Sequence, residues 1–190
     1  MVDNYDKTVD VVVVGYGLAG AVAAISAHDA GSEVLILEKA KHPGGCSILA
    51  GGSIFMVRNV ENAIKYFSAL SGGRVSSDII EAFAYGLAEN LDYIKQLAKV
   101  DGATVKLKEK NGLYPFPGNK DSFGSVWITQ VPGFTGFPNV KSTLKNGQMM
   151  FKVLMDNLDA RNIPVYMNTP SKELIVDRDS AITGVKAERE

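Results

Sequence analysis

Val11-Val12-Val13-Val14-Gly15-Tyr16-Gly17-Leu18-Ala19-Gly20 is the stretch whose reading decides the fold. Four β-branched residues in a row, followed at once by glycines, read as a strand buried on both faces of a parallel sheet. Behind them the residues turn small and helix-compatible. Ala19, Ala21, Ala23, Ala24, Ala27 and Ala30 would let a helix lie close on the sheet, and Gly31 suits its stop. Val34 to Leu37 is a second apolar run, ended by Glu38-Lys39. Strand, glycine turn, helix and strand make a βαβ unit, so the chain is expected to be an α/β protein with a Rossmann-like domain and a parallel central sheet.

In that setting the G-x-G-x-x-G pattern has a physical meaning at each position. Gly15 permits the tight turn, Gly17 lets the main chain approach a pyrophosphate without a Cβ between, and Gly20 allows close helix–strand packing. The helix start, Leu18 and Ala19, presents unpaired N–H groups and a positive dipole end to phosphates. Glu38 follows Gly20 by eighteen residues and sits where a carboxylate accepts ribose hydroxyls. An acid there disfavours a 2′-phosphate, which argues against NADP.

Composition narrows the function. The chain has 190 residues with 20 Lys+Arg against 21 Asp+Glu, a net charge of -1, which gives no field to gather nucleic acid or anionic lipid. One cysteine, Cys46, excludes a disulfide framework, and with only His28 and His42 beside it no metal site is expected. The polar, acidic start lacks a basic segment and apolar run, so a cytoplasmic protein without membrane insertion is expected.

Further along, Asp78 to Ala98 carries Ile79, Ile80, Phe83, Leu87, Leu91, Ile94 and Leu97 on one helical stripe, with Asp78 and Glu81, or else Ser77, as the capping residues. Gln148 to Arg161 forms a second amphipathic helix with Met150, Val153, Leu154 and Leu158 inward. Ile163 to Met167, Leu174 to Val176 and a segment around Val185 read as strands, the last two joined by a turn at Asp177 to Ser180. Between Gly112 and Gly147, four of the seven prolines gather with Trp127, Tyr114, Phe116, Phe123, Phe134 and Phe137. This stretch is either a long ordered loop or a short-stranded excursion, and its rings either line an apolar pocket, with Tyr114 foremost, or serve as core.

Glu38-Lys39-Ala40-Lys41-His42-Pro43-Gly44-Gly45-Cys46-Ser47-Ile48-Leu49-Ala50-Gly51-Gly52 resembles the continuation found in the flavoprotein family of fumarate reductases, succinate dehydrogenase flavoprotein subunits and 3-ketosteroid dehydrogenases. The residues agree, since two glycine pairs around a short segment allow close main-chain approach to a bulky anion. The resemblance implies FAD as cofactor, held by Gly15, Gly17, Leu18, Ala19, Gly20, Glu38, Lys39, Gly44, Gly45, Cys46, Ser47, Ala50, Gly51 and Gly52. It extends to Asn168-Thr169-Pro170-Ser171, the stretch that meets the adenine in that family, and so to Ser171. Where membrane-bound succinate dehydrogenases carry a flavin-linked histidine, this sequence has Gly45, so non-covalent FAD is implied. Cys46, where Asn or Thr is frequent, reads as a small buried residue.

What the resemblance implies for function is hydride transfer between flavin N5 and an activated carbon–carbon bond of a small-molecule substrate. The first expectation is a fumarate-reductase-like oxidoreductase, with 3-ketosteroid dehydrogenation and a non-catalytic dinucleotide-binding module as alternatives. The family's catalytic residues, substrate cap and second flavin-binding segment would lie beyond Glu190, making residues 1–190 the incomplete N-terminal part of a longer flavoprotein. No catalytic residue is assigned, and the electron donor or acceptor is open. His28, expected mid-helix, and His42 read as solvated.

Overall fold

A computed structural model describes residues 5–138, 140–141 and 145–189. The chain divides into two units, one of Met1–Leu49 with Leu154–Glu190 and the other of Ala50–Val153.

The first unit holds the parallel sheet. Strands β1 (Val11–Val14), β2 (Val34–Leu37) and β6 (Val165–Tyr166) lie in the order β1-β2-β6, with Val11 opposite Val34 and Ile36 opposite Val165. Helix α1 (Leu18–Asp29) crosses from β1 to β2 and buries Ala21, Ala24 and Ile25, the small residues that let it sit close. Gly31, at φ 96°, ends it as expected, its N–H donating to the His28 carbonyl. The central strand is β2, whose four residues are all buried; β1 lies at the edge, with Val12 and Val14 exposed. The expectation that the four-valine strand is buried on both faces is therefore corrected. Val12 and Val14 leave one face of β1 open, while β2, between β1 and β6, is buried at all four residues.

Strands β7 (Ser171–Val176) and β8 (Ile182–Ala187) form an antiparallel hairpin. Its turn is set by Asp177, whose Oδ1 accepts the N–H groups of Asp179 and Ala181. The strand read over Ile163–Met167 shortens to Val165–Tyr166, the two residues that pair with β2, and Pro164 just before them has no N–H to donate.

The second unit carries an antiparallel sheet, β3 (Ile54–Val57), β5 (Phe123–Gln130) and β4 (Thr104–Lys110), in the order β3-β5-β4, with helices α2 (Val60–Ser71) and α3 (Ser77–Ala98). Within the Gly112–Gly147 stretch the structure places strand β5, preceded by irregular chain over residues 112–122. Ser76 is the N-cap of α3, one residue before Ser77 and two before Asp78. Its buried face carries Ile80, Ala84, Ile94 and Leu97, whereas Ile79 and Phe83 are exposed. Placing Ala84 inward lets the helix approach Phe123 and Tyr66 in a common core. Helix α4 (Asn146–Ala160) crosses the division between the units, and its Met150, Val153, Leu154 and Leu158 are all buried as expected.

Among the described residues, no helix is long and apolar enough to cross a membrane. In the first unit, Arg161 just beyond α4 grips Asp29 at the end of α1, Nε to Oδ1 at 2.6 Å and a terminal nitrogen to Oδ2 at 2.8 Å. The Arg161 hydrogen bond holds the Asp29 carboxyl below its ordinary value. With the Asp29 side chain 43% exposed, solvent screening limits the pair to about 0.5–1 kcal/mol. A carboxyl depressed in the folded state stabilises above its unfolded value of about 3.9 and loses that contribution as pH falls through the folded value. Urea unfolding should therefore find Asp29→Asn less stable than wild type at pH 7, with the gap closing below about pH 3.9. A gap unchanged down to pH 3 would mean that the charge contributes nothing.

Candidate dinucleotide site

The site residues of the first unit gather at the carboxyl ends of β1 and β2, where open α/β sheets bind ligands. Gly15 continues the β1–β2 ladder, its N–H donating to Leu37 C=O at 2.7 Å, and then turns the chain at φ 102°. Without a Cβ it enters that left-handed region at no steric cost. A Cβ on Gly20 would run into the Gly15 carbonyl oxygen, with Val13 Cγ1 at 3.3 Å. Gly20 thus allows the close helix–strand packing read from the sequence.

The glycine turn is laced to the second glycine block. Gly44 N–H donates to Tyr16 C=O at 2.7 Å, and Leu18 N–H donates to Ser47 Oγ at 2.9 Å. Ser47 lies in a 3₁₀ turn (Gly45–Leu49) and caps α1 across sequence, a task its own N-cap, Gly17, has no side chain to perform. A Cβ on Gly17 would stand 3.4 Å from Ser47 Oγ and 3.8 Å from Gly44 O. What Gly17 approaches within the protein is therefore the second block. Ala19 and Gly20 remain in the first turn of α1, where helix geometry leaves N–H groups without an intrahelical acceptor.

Glu38, half-buried at the end of β2, accepts Tyr16 N–H through Oε2 and Ala40 N–H through Oε1, each at 2.7 Å. Its main chain pairs with Tyr166 O and Thr169 N. Sequence reasoning missed Tyr16, the variable residue of the motif. Its ring is buried and its N–H and C=O tie the turn to two neighbouring segments. Burial pushes the Tyr16 phenol well up, aided by Asp159 and Asp156, so it stays neutral. An aromatic between two glycines was the available signal.

Lys39 and Gly45 are exposed, and so is Cys46, which corrects the reading of a small buried residue. The 3₁₀ turn buries none of its residues. His28 sits in the last turn of α1, 3.4 Å from Asp29, not mid-helix, and His42 is exposed. Ser171 opens β7 with its Oγ buried and unpartnered. A cavity of about 910 Å³ between the hairpin and the sheet has Val12, Leu37 and Thr169 in its lining.

Ala50, Gly51 and Gly52 belong to the second unit. Gly52, at φ 65°, lets the chain pass the start of α4, where a Cβ would stand 2.6 Å from Gly147 N. The aromatic residues of that unit divide between clusters. Tyr66 meets Phe116 and Phe123 edge-on, and its hydroxyl accepts Tyr114 N–H, while Phe137 packs on Phe134 and Phe151. Tyr114 and Phe116 keep partly exposed rings.

A glycine turn on a strand–helix junction, an acid at the next strand end and a second glycine segment against the helix start define a dinucleotide-binding α/β protein. The chain matches the FAD binding domain family over residues 10–190 and belongs to it. Open space lies around Gly15 and Gly45, where a Cβ would meet nothing within 4 Å, so this arrangement fits an extended anionic cofactor. Among the described residues there is no cluster able to hold a metal ion.

The chain is also similar to known proteins over most of its length. The 3-oxo-5-alpha-steroid 4-dehydrogenase of Comamonas testosteroni is 27% identical over 93% of this chain and 37% of its own length. Urocanate reductase of Eggerthella lenta is 30% identical over 94% of this chain and 28% of its length. The chain therefore spans about a third of such curated relatives. Among solved structures, a 3-ketosteroid-Δ4-(5α)-dehydrogenase from Rhodococcus jostii RHA1 superposes with a TM-score of 0.77 at 23% identity, covering 99% of this chain and 43% of that one. A flavocytochrome c3 fumarate reductase gives 0.68 at 21%, covering 96% and 30%. The expected fold class and family are borne out.

The two glycines of the turn should respond differently to alanine. Gly20→Ala forces the helix off the strand and should cost about 1–3 kcal/mol or more in stability. Gly17, at φ -100° and ψ -169°, is extended, so Gly17→Ala should change cofactor-free stability by no more than about 0.5–1 kcal/mol while weakening FAD binding. Equal losses of stability for both, by urea titration, would contradict this assignment. Ser47→Ala removes the cap and should cost about 0.5–2 kcal/mol.

Proposed function

We propose that this chain supplies the FAD-binding part of an oxidoreductase that acts on a carbon–carbon bond activated by a neighbouring carbonyl or carboxylate. The observation that carries this reading is the lacing of the glycine turn to both Glu38 and the Gly44–Ser47 segment. It supports a long dinucleotide better than a ligand held at one end. Membership of the FAD-binding family supports the enzyme class.

In this proposal the first-turn N–H groups of Ala19 and Gly20 face the diphosphate, with the positive end of α1 behind them. Glu38 takes the ribose hydroxyls, and its negative charge repels a 2′-phosphate. Lys39 and the Gly44–Ser47 segment flank the diphosphate, and Ser171 lies near the adenine. FAD is held without the histidine link of membrane-bound succinate dehydrogenases, since Gly45 stands at that position. When bound, the flavin supplies hydride transfer to or from the substrate carbon. The protein acid or base for the adjacent carbon is assigned to sequence outside this chain.

Reduction of a fumarate- or acrylate-like acceptor is the first reading. Dehydrogenation of a 3-ketosteroid is the second, favoured by the steroid dehydrogenases among the curated relatives. The purified full-length protein should be yellow, with flavin bands that bleach on chemical reduction under anaerobic conditions. Their recovery on adding fumarate or an acrylate supports the first reading, and recovery with a steroid dienone the second. A flavin that no such acceptor reoxidises would overturn both, and colourless protein that binds NAD tightly would overturn the FAD assignment.

A further inference from the structure

Glu38 makes more bonds than a ribose acceptor requires. Through its two carboxylate oxygens it joins Tyr16 N–H in the glycine turn to Ala40 N–H in the loop after β2. Its own N–H donates to Tyr166 O at 2.9 Å, and its C=O accepts Thr169 N–H at 2.8 Å. One residue thus connects the glycine turn, the loop after β2, the end of β6 and the segment leading into β7. Tyr16 is fixed from the other side too, its C=O accepting Gly44 N–H. The turn is therefore clamped on both peptide groups, one by a carboxylate and one by the second glycine block.

An ionised carboxylate offers about four acceptor positions. Two are used by the protein's own N–H groups, and two remain for a vicinal pair of hydroxyls, so the two tasks can coexist. We propose that Glu38 is a positioning residue for the diphosphate cradle, holding the glycine turn in register with the loop after β2 before any ribose is present. The consequence for the cofactor rests on the FAD reading; the clamp itself belongs to the protein alone. A charge-assisted bond to backbone N–H is stronger than a neutral one, which suits a residue that must order a turn rich in glycine.

The two roles separate when the ribose hydroxyls are removed from the ligand. FAD and its 2′,3′-dideoxyadenosine analogue are titrated into the cofactor-free full-length protein, as wild type and as Glu38→Ala. A residue that serves the ribose alone has nothing to lose with the analogue, so the variant and the wild type would bind it equally. A positioning residue still matters, and Glu38→Ala should weaken the analogue by about tenfold, the loss of one charge-assisted bond. Amide exchange in the cofactor-free protein supplies the second readout. The N–H groups of Tyr16 and Ala40 should exchange about tenfold faster in the variant, while Ile36 in the centre of β2 keeps its wild-type rate.

Analogue affinity changed by less than about twofold would overturn the proposal. So would acceleration that includes Ile36, which signals general destabilisation. If Glu38→Ala does not fold, Glu38→Gln carries the same comparison, because it keeps the shape and one acceptor oxygen but sets an amide NH2 against one of the two N–H groups. Wild-type protein that fails to bind FAD while Tyr16 and Ala40 exchange still respond would overturn the functional reading and leave the clamp standing.

Discussion

The carboxylate of Glu38 meets two backbone N–H groups that no regular structure could satisfy, and the geometry of the candidate site follows from that meeting. A turn built on Gly15 and Gly17 has little conformational preference of its own. Pairing of β1 with β2 delivers Gly15 to Leu37 and so brings the turn beside Glu38. The carboxylate then fixes Tyr16, Gly44 fixes it from the opposite side, and Ser47 closes the first N–H of α1. Local backbone donors are satisfied by neighbours distant in sequence, while the following N–H groups stay available to a ligand.

The glycines of the two blocks have separate physical tasks. Gly15 takes a positive φ, Gly20 admits a carbonyl oxygen where a Cβ would stand, and Gly52 lets one chain segment pass another. Around Gly51 there is open space and no left-handed φ, so the fold does not demand glycine there, whereas Gly45, equally open, takes φ 49°.

Much of the first unit was legible because its signals are local. The Val11–Val14 run, the alanine-rich helix and Glu38 specify a βαβ unit by period and spacing alone. What composition could not show was which strand lies in the middle, since Val-Val-Val-Val at the edge and Val-Leu-Ile-Leu at the centre read alike. Helix α2 and strands β3 and β4 escaped the sequence reading although signals existed: Asn59 Oδ1 caps α2 at Asn62 N–H, Gly72 closes it at φ 58°, and β4 alternates Lys106 and Lys108 with Val105 and Leu107. In the site, residue types pointed to the right positions but not to their partners. The Leu18–Ser47 and Tyr16–Glu38 bonds span 29 and 22 residues and depend on tertiary folding.

In the proposed function, FAD lies along the laced glycine turn. A crystal structure of the full-length protein with FAD tests it most directly. The diphosphate is expected against the N–H groups of Ala19 and Gly20, with the adenosine ribose hydroxyls on Glu38 and the Tyr16–Glu38 bond retained. A dinucleotide placed elsewhere, as in the cavity beside the β7–β8 hairpin, or a Glu38 that lets go of Tyr16 to reach the ribose, would contradict it.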